Sequence, residues 1–349
     1  MEYALKKFKE RVYFIEKQFY SQGVIESLLS TLVEKERVSK EDKKKFKEVC
    51  ENKTDEKIYY YTANIISLYG GLESYIEGVV DEYIKSITLL FPSYKKMIEI
   101  TGIRDCMQKG VSLLNHAEER KFKNLSKNDV LIGLYKSVIK DDSRALLSEA
   151  FVDFGGGNYK HETIMNCLVR MGLKDIKSEL KRFDPLRDYI DKKGLDSSSN
   201  LFTKIDDLVE RRNELAHGAD NLELIDTESF LEYITFLSTY VETINNYLDN
   251  RIKYFRWERE QCDIIEPRVF TDNIVCLRSG DVELGTEYRK GQSLLLQRDG
   301  KFYDGEIENI RVEERDYDYY KKEQIDTEIG LKVKSKCIIT KDSKIKIVS

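Results

Sequence analysis

Leu208-Val209-Glu210-Arg211-Arg212-Asn213-Glu214-Leu215-Ala216-His217-Gly218 is the stretch on which the fold turns. It sets a permanent cation, a neutral amide and one of only 3 histidines within less than two helical turns. An arginine holds phosphate through a fixed fork of donors. A histidine is the side chain whose ordinary pKa suits proton transfer near neutrality. Together they point to phosphodiester chemistry without a metal. Leu201, Ile205, Leu208, Val209, Arg212 and Leu215 keep a helical period, which predicts a helix over 201–217. On it Asn213 and His217 share a face, whereas Arg212 lies roughly 140° from His217. The two can converge if the arginine wraps round, if the helix unwinds at Gly218, or if a second copy faces the first across a two-fold axis. The competing explanation makes Arg212 and Glu214 surface charges and His217 a cation favoured by the helix dipole.

Upstream, residues 58–90 give the clearest helical period, with Ile65, Leu68, Leu72, Tyr75, Ile76, Val79, Tyr83 and Ile87 forming one apolar stripe before Pro92 ends it. Glu73 sits at the edge of that stripe. It is either a partly buried carboxylate satisfied by a neighbouring donor or the partner that orients Arg212. Residues 1–49 read as charged helices, and the run Lys43-Lys44-Lys45-Phe46-Lys47 as a solvated face in preference to an RNA contact. Residues 94–150 read as irregular helix with His116 at the surface. The triple glycine at 155–157 has neither a preceding strand nor a following Gly-Lys-Ser/Thr, so it reads as a loop. His161 beyond it caps the next helix or is exposed. Downstream, Asp226 and Thr227 offer N-caps for a last helix. Its apolar repeat, Phe230 to Leu248, runs at roughly 3.5 residues, the period of helices packed lengthwise.

Arg212-Asn213 followed by three variable residues and His217 resembles the signature of the HEPN superfamily of ribonucleases. The fuller Arg211 to Gly218 string is similar to the form in its RiboL-PSP branch. Tyr69-Gly70-Gly71-Leu72-Glu73-Ser74-Tyr75-Ile76 resembles that branch's helix of a small-residue pair, an apolar residue and Glu. A weaker match is Gly155-Gly156-Gly157-Asn158 with Met171-Gly172-Leu173. The resemblance covers roughly residues 55–255. It implies a mainly α fold, an HEPN-type helical bundle, and a dimeric, metal-independent endoribonuclease. Arg212 and His217 would be catalytic, Asn213 would support them by fixing the phosphate or the imidazole, and Glu73 and Arg211 would assist.

Near Pro267 the pattern changes to short strands, Ile274–Leu277, Leu294–Leu296, Ile307–Val312 and Ile329–Val333, with glycines between. This predicts a small β-barrel, giving a helical domain over 1–258 and a barrel over 265–349. Ser279 to Gly285, Tyr288 to Gln292 and Ile329 to Val333 resemble the second-domain barrel of translation factors such as elongation factor Tu, which implies an RNA-binding or partner-docking module. Lys332, Lys334 and Lys336 fall on one strand face, as do Lys344 and Lys346. Such a row either tracks a phosphate backbone or protects an edge strand. Asp316-Tyr317-Asp318-Tyr319-Tyr320 reads as a loop.

The chain has 349 residues, 41% hydrophobic and 35% charged with 3 prolines, which suits two soluble domains rich in helix. A net charge of −5 excludes a broadly basic nucleic-acid coat, so RNA, tRNA among the candidates, would meet local patches only. The 6 cysteines stand singly, which argues for reduced thiols and against zinc; no cluster of Asp, Glu, His and Cys near the motif has metal-ligand spacing, and neither metal nor cofactor is expected. The start is charged and amphipathic, no apolar run approaches a bilayer span, and a cytoplasmic protein is expected. The expected partners are RNA, a second copy of the chain, and an antitoxin or regulatory protein, in a toxin or antiviral setting. The rival expectation is a non-catalytic helical scaffold that dimerises and binds a protein.

Overall fold

A computed structural model describes the chain except residues 35–38, 40, 43, 46–52, 153–157, 196–200, 218–223, 263, 272, 279–281, 325–326 and 349. Parts of the lysine run at 43–47, the triple glycine, Gly218 and Ser279-Gly280-Asp281 lie outside the described residues. The chain divides into two compact units, Met1–Tyr247 and Leu248–Ser349. In order, the described helices are α1 (Tyr3–Glu34), α2 (Lys53–Leu90), α3 (Tyr94–Thr101), α4 (Cys106–His116), α5 (Lys127–Leu134), α6 (His161–Arg170), α7 (Ile176–Glu179), α8 (Leu186–Lys193), α9 (Thr203–Ala216) and α10 (Thr227–Arg259). The fold is mainly α, as the periodicity predicts.

Helix α2 organises the first unit. Its whole stripe, from Ile65 through Leu68, Leu72, Ile76 and Val79 to Ile87, is buried. Helix α1 runs antiparallel to it. The Ala4 N–H donates to Glu82 Oε1 at 2.7 Å, and the Phe8 and Tyr75 rings lie 5.9 Å apart. The close approach needs Gly71, where a Cβ would lie 3.0 Å from Arg11 Cδ. On another side the Tyr75 hydroxyl donates to the Val241 carbonyl of α10 at 2.9 Å. Helix α2 stops at Leu90, two residues before Pro92, since a proline pushes its predecessor out of helical geometry. Asp226 caps α10 as expected, accepting the Ser229 N–H at 2.8 Å. Among the described residues no helix is long and apolar enough to cross a membrane, and no cluster of side chains could hold a metal ion.

In the second unit the strands order as β1 (Arg268–Thr271), β2 (Ile274–Leu277), β8 (Ile329–Ser335), β5 (Lys301–Val312), β4 (Ser293–Arg298) and β9 (Lys344–Ile347), all antiparallel, with β6 (Arg315–Tyr317) on the β5 end. A separate ribbon pairs β3 (Glu287–Arg289) with β7 (Tyr319–Lys321). The sheet curls until Ile265, just before β1, bridges Ile345 on β9, a half-barrel. A bulge between Ile307 and Asn309 on β5 supports the bend. Inside lie Val275, Leu277, Leu294, Leu296, Ile310, Leu331, Val333 and Ile345.

Two expectations need correction here. The Asp316–Tyr320 segment forms strands β6 and β7, because Tyr317 and Tyr320 pack on the barrel core, rings 5.5 Å apart. Lys346 does not line an outer cation row with Lys344. It is buried, donating to the Trp257 and Glu260 carbonyls at 2.8 Å each, and so satisfies the last carbonyls of α10.

Gly172 closes the turn after α6 at φ +89°, and a Cβ there would lie 2.1 Å from the Thr101 carbonyl oxygen. Gly172→Ala therefore forces the chain apart at the α3–α6 junction. A loss of at least ~1–3 kcal/mol in unfolding free energy is expected by urea denaturation.

Candidate active site

Helix α9 is fixed by a short apolar face, Ile205, Leu208 and Val209, all buried. This leaves Arg211, Arg212 and Asn213 half-exposed on its flank. The two arginines have opposite fates. Arg211 Nε donates to Asp207 Oδ2 at 2.8 Å and its Nη1 to the Tyr61 hydroxyl on α2 at 3.2 Å. Tyr233 on α10 donates to the same carboxylate, so Arg211 ties three helices together. Arg212, a turn of about 100° further on, makes no ion pair among the described residues. Its guanidinium carbon lies 4.7 Å from the centre of the Tyr69 ring, and Nη1 donates to Asn213 Oδ1 at 2.9 Å.

The expected supporting residues fall into place unequally. Asn213's amide oxygen serves Arg212, its neighbour. Glu73 is half-buried and forms no ion pair with Arg212. Burial, and next the nearby Glu77 carboxylate, push the Glu73 carboxyl above the usual carboxylate range, while Lys121 and Arg212 oppose the shift. His217 ends α9 as its C-cap residue, at φ −95° and ψ 3°. Its N–H bonds the Asn213 carbonyl at 3.0 Å and the Glu214 carbonyl at 3.2 Å, and its side chain is exposed. The bond to Asn213 keeps His217 on the helical path, so its side chain leaves α9 roughly 140° round from Arg212.

Sequence reasoning missed Tyr69, Glu77, Lys121 and Tyr159. Tyr69 is buried, and its hydroxyl accepts the Tyr159 N–H at 3.1 Å. The Tyr159 hydroxyl in turn receives Lys121 Nζ at 3.2 Å and donates to Glu77 Oε1 at 3.4 Å, while Lys121 and Glu77 pair directly. Tyr69 was visible in the Tyr-Gly-Gly-Leu-Glu string. The others come from segments with no local signal.

In the second unit, Lys332 and Lys334 lie on the exposed face of β8 and Lys336 just beyond it. Lys332 pairs with Glu308 at 2.9 Å, and Lys334 stands across from Glu306. The row is therefore partly neutralised by its neighbouring strand.

The motif helix of this bundle thus carries an arginine with no ion pair among the described residues and is followed by an exposed histidine. The family model described as RiboL-PSP-HEPN matches residues 8–250, and the chain belongs to that family. No curated protein and no solved structure matches the chain.

His161, expected as a cap or an exposed residue, is instead partly buried against α9 and α10. Its ring stacks on Phe202 at 3.9 Å, and Nδ1 lies 3.2 Å from the Tyr240 hydroxyl. Burial lowers its pKa to about 4, which keeps it neutral. An unfolded histidine, with a pKa of about 6.5, binds more protons than the folded one between these values. Stability therefore falls as pH drops from about 6.5 to about 4, by no more than ~1.4 kcal/mol per unit from this group. Urea midpoints measured across that range should show the slope in the natural chain and a shallower one in His161→Phe.

Proposed function

We propose that the chain is a metal-independent endoribonuclease working through Arg212, Asn213 and His217. The observation that carries this is the contrast between the arginines. Arg211 is paired with Asp207, whereas Arg212 forms no ion pair among the described residues, and His217, five residues on, has an exposed side chain. Arg212 would hold the scissile phosphate and stabilise the charge that grows in the pentacoordinate transition state. His217 would act as base or acid on the ribose 2′-hydroxyl or the 5′-leaving oxygen, and the product would carry a 2′,3′-cyclic phosphate. Asn213 fixes the arginine head. A dimer that gathers both histidines and both arginines round one phosphate follows the family resemblance, as does a toxin or antiviral role with an antitoxin or regulatory partner. RNA, with tRNA one candidate, is the substrate. Lys332, Lys334 and Lys336 offer a secondary backbone contact, weakened by Glu306 and Glu308.

The test is cleavage of RNA by the full chain with the ends identified. His217→Ala should lower the rate by about 10²–10⁴-fold with RNA binding retained. Arg212→Ala should lower the rate and weaken binding together. Wild-type cleavage by His217→Ala would overturn the assignment and favour a scaffold.

The same assay with excess EDTA should give an unchanged rate, because proton transfer and charge stabilisation both come from side chains. Loss of cleavage restored by magnesium would rule out the metal-free route.

A further inference from the structure

Among the described residues Arg212 forms no ion pair, and that raises a physical question. A long, charged side chain without a carboxylate samples many rotamers, and ordering it on substrate costs up to about 2 kcal/mol of side-chain entropy. Here the guanidinium is already placed, 4.7 Å above the Tyr69 ring. The ring itself cannot swing. It is only 2% exposed, its hydroxyl is held by the Tyr159 N–H at 3.1 Å, and Tyr159 is pinned through its own hydroxyl by Lys121 and Glu77. Burial raises the Tyr69 phenol pKa, so the ring faces the cation as a neutral π surface. A carboxylate in the same place would hold the arginine more firmly, but it would also spend the charge that phosphate needs. A ring face attracts the cation without neutralising it.

We propose that Tyr69 is the positioning residue for Arg212, holding the guanidinium ready for phosphate, with Tyr159, Lys121 and Glu77 locking the ring. This rests on the nuclease reading above. Tyr69 acts through Arg212 and need not touch RNA.

The experiment separates ring electronics from packing. Tyr69→Phe keeps the ring and loses only the hydroxyl anchor, so cleavage should fall by about threefold, the scale of one modest hydrogen bond. Tyr69→pentafluorophenylalanine keeps shape and apolar contact but removes the negative ring face. It should cut kcat/KM by about tenfold against Tyr69→Phe, corresponding to ~1.4 kcal/mol. Melting temperatures of the two variants should agree. RNA affinity is then measured in the cleavage-inactive His217→Ala background. The fluorinated ring should weaken binding when Arg212 is present and change it less than twofold in the added Arg212→Ala background, the signature of direct coupling.

Equal cleavage by the Phe and pentafluorophenylalanine variants, or equal loss of affinity with and without Arg212, would overturn the positioning role while leaving the nuclease reading intact. A natural chain that neither cuts nor binds RNA would defeat the nuclease reading, and this inference with it.

Discussion

The burial of one face of α2 is the constraint on which the rest of the first unit depends. Its stripe meets α1 on one side and α10 on another, through Phe8 against Tyr75 and the Tyr75 hydroxyl on Val241. Because that stripe fixes the helix in rotation as well as in place, the residues flanking it are aimed with no further expense of binding energy. Tyr61 and Tyr69, two turns apart, are presented to the motif helix α9. Glu73 and Glu77 follow one and two turns later. The core and the candidate site are therefore two edges of a single helix, and a change that rotated α2 would disturb both.

What could be read from the sequence was what repeats locally. The three-and-four spacing of Ile65 to Ile87 gave the helix and its buried face, and the run from Leu201 to Leu215 gave the motif helix. Short apolar runs punctuated by glycines gave the central strands β2, β4, β5 and β8. Arg212 and His217 stood out by residue type and spacing. The contact that holds Arg212 did not, because Tyr69 meets Tyr159 across 90 positions of chain and a cation over a ring has no periodicity to betray it. The Asp316–Tyr320 segment misled for a related reason. Its acidic residues suggested a loop, but the tyrosines between them bury their rings on the barrel, and packing outweighed local polarity.

Lysines in the second unit show how little an alternating pattern says about where a charge ends up. Lys344 and Lys346 are two apart on one strand, yet Lys346 is buried under the end of α10, where two carbonyl oxygens left without helical partners accept its protons. Its ammonium also lies 5.0 Å from the Trp257 ring centre. Lys332 remains outside but is met by Glu308, which the β5 bulge places beside it. Such rows attract an anionic partner only in so far as these acidic neighbours leave their field intact.

Arg211 and Arg212 carry the argument to its last step. They are identical side chains one residue apart, and composition or conservation of charge could not tell them apart. A turn of about 100° along the helix brings the first to Asp207 and Tyr61, where its charge is spent on joining α2, α9 and α10. It brings the second to an aromatic face, where the charge is kept. Two of the three histidines divide in the same way. His161 is stacked on Phe202 and held neutral, with its pKa lowered to about 4, while His217 sits exposed at the end of its helix. In each pair one member is absorbed by the fold and the other left over. The two left over, Arg212 and His217, are the two on which the proposed phosphodiester chemistry rests.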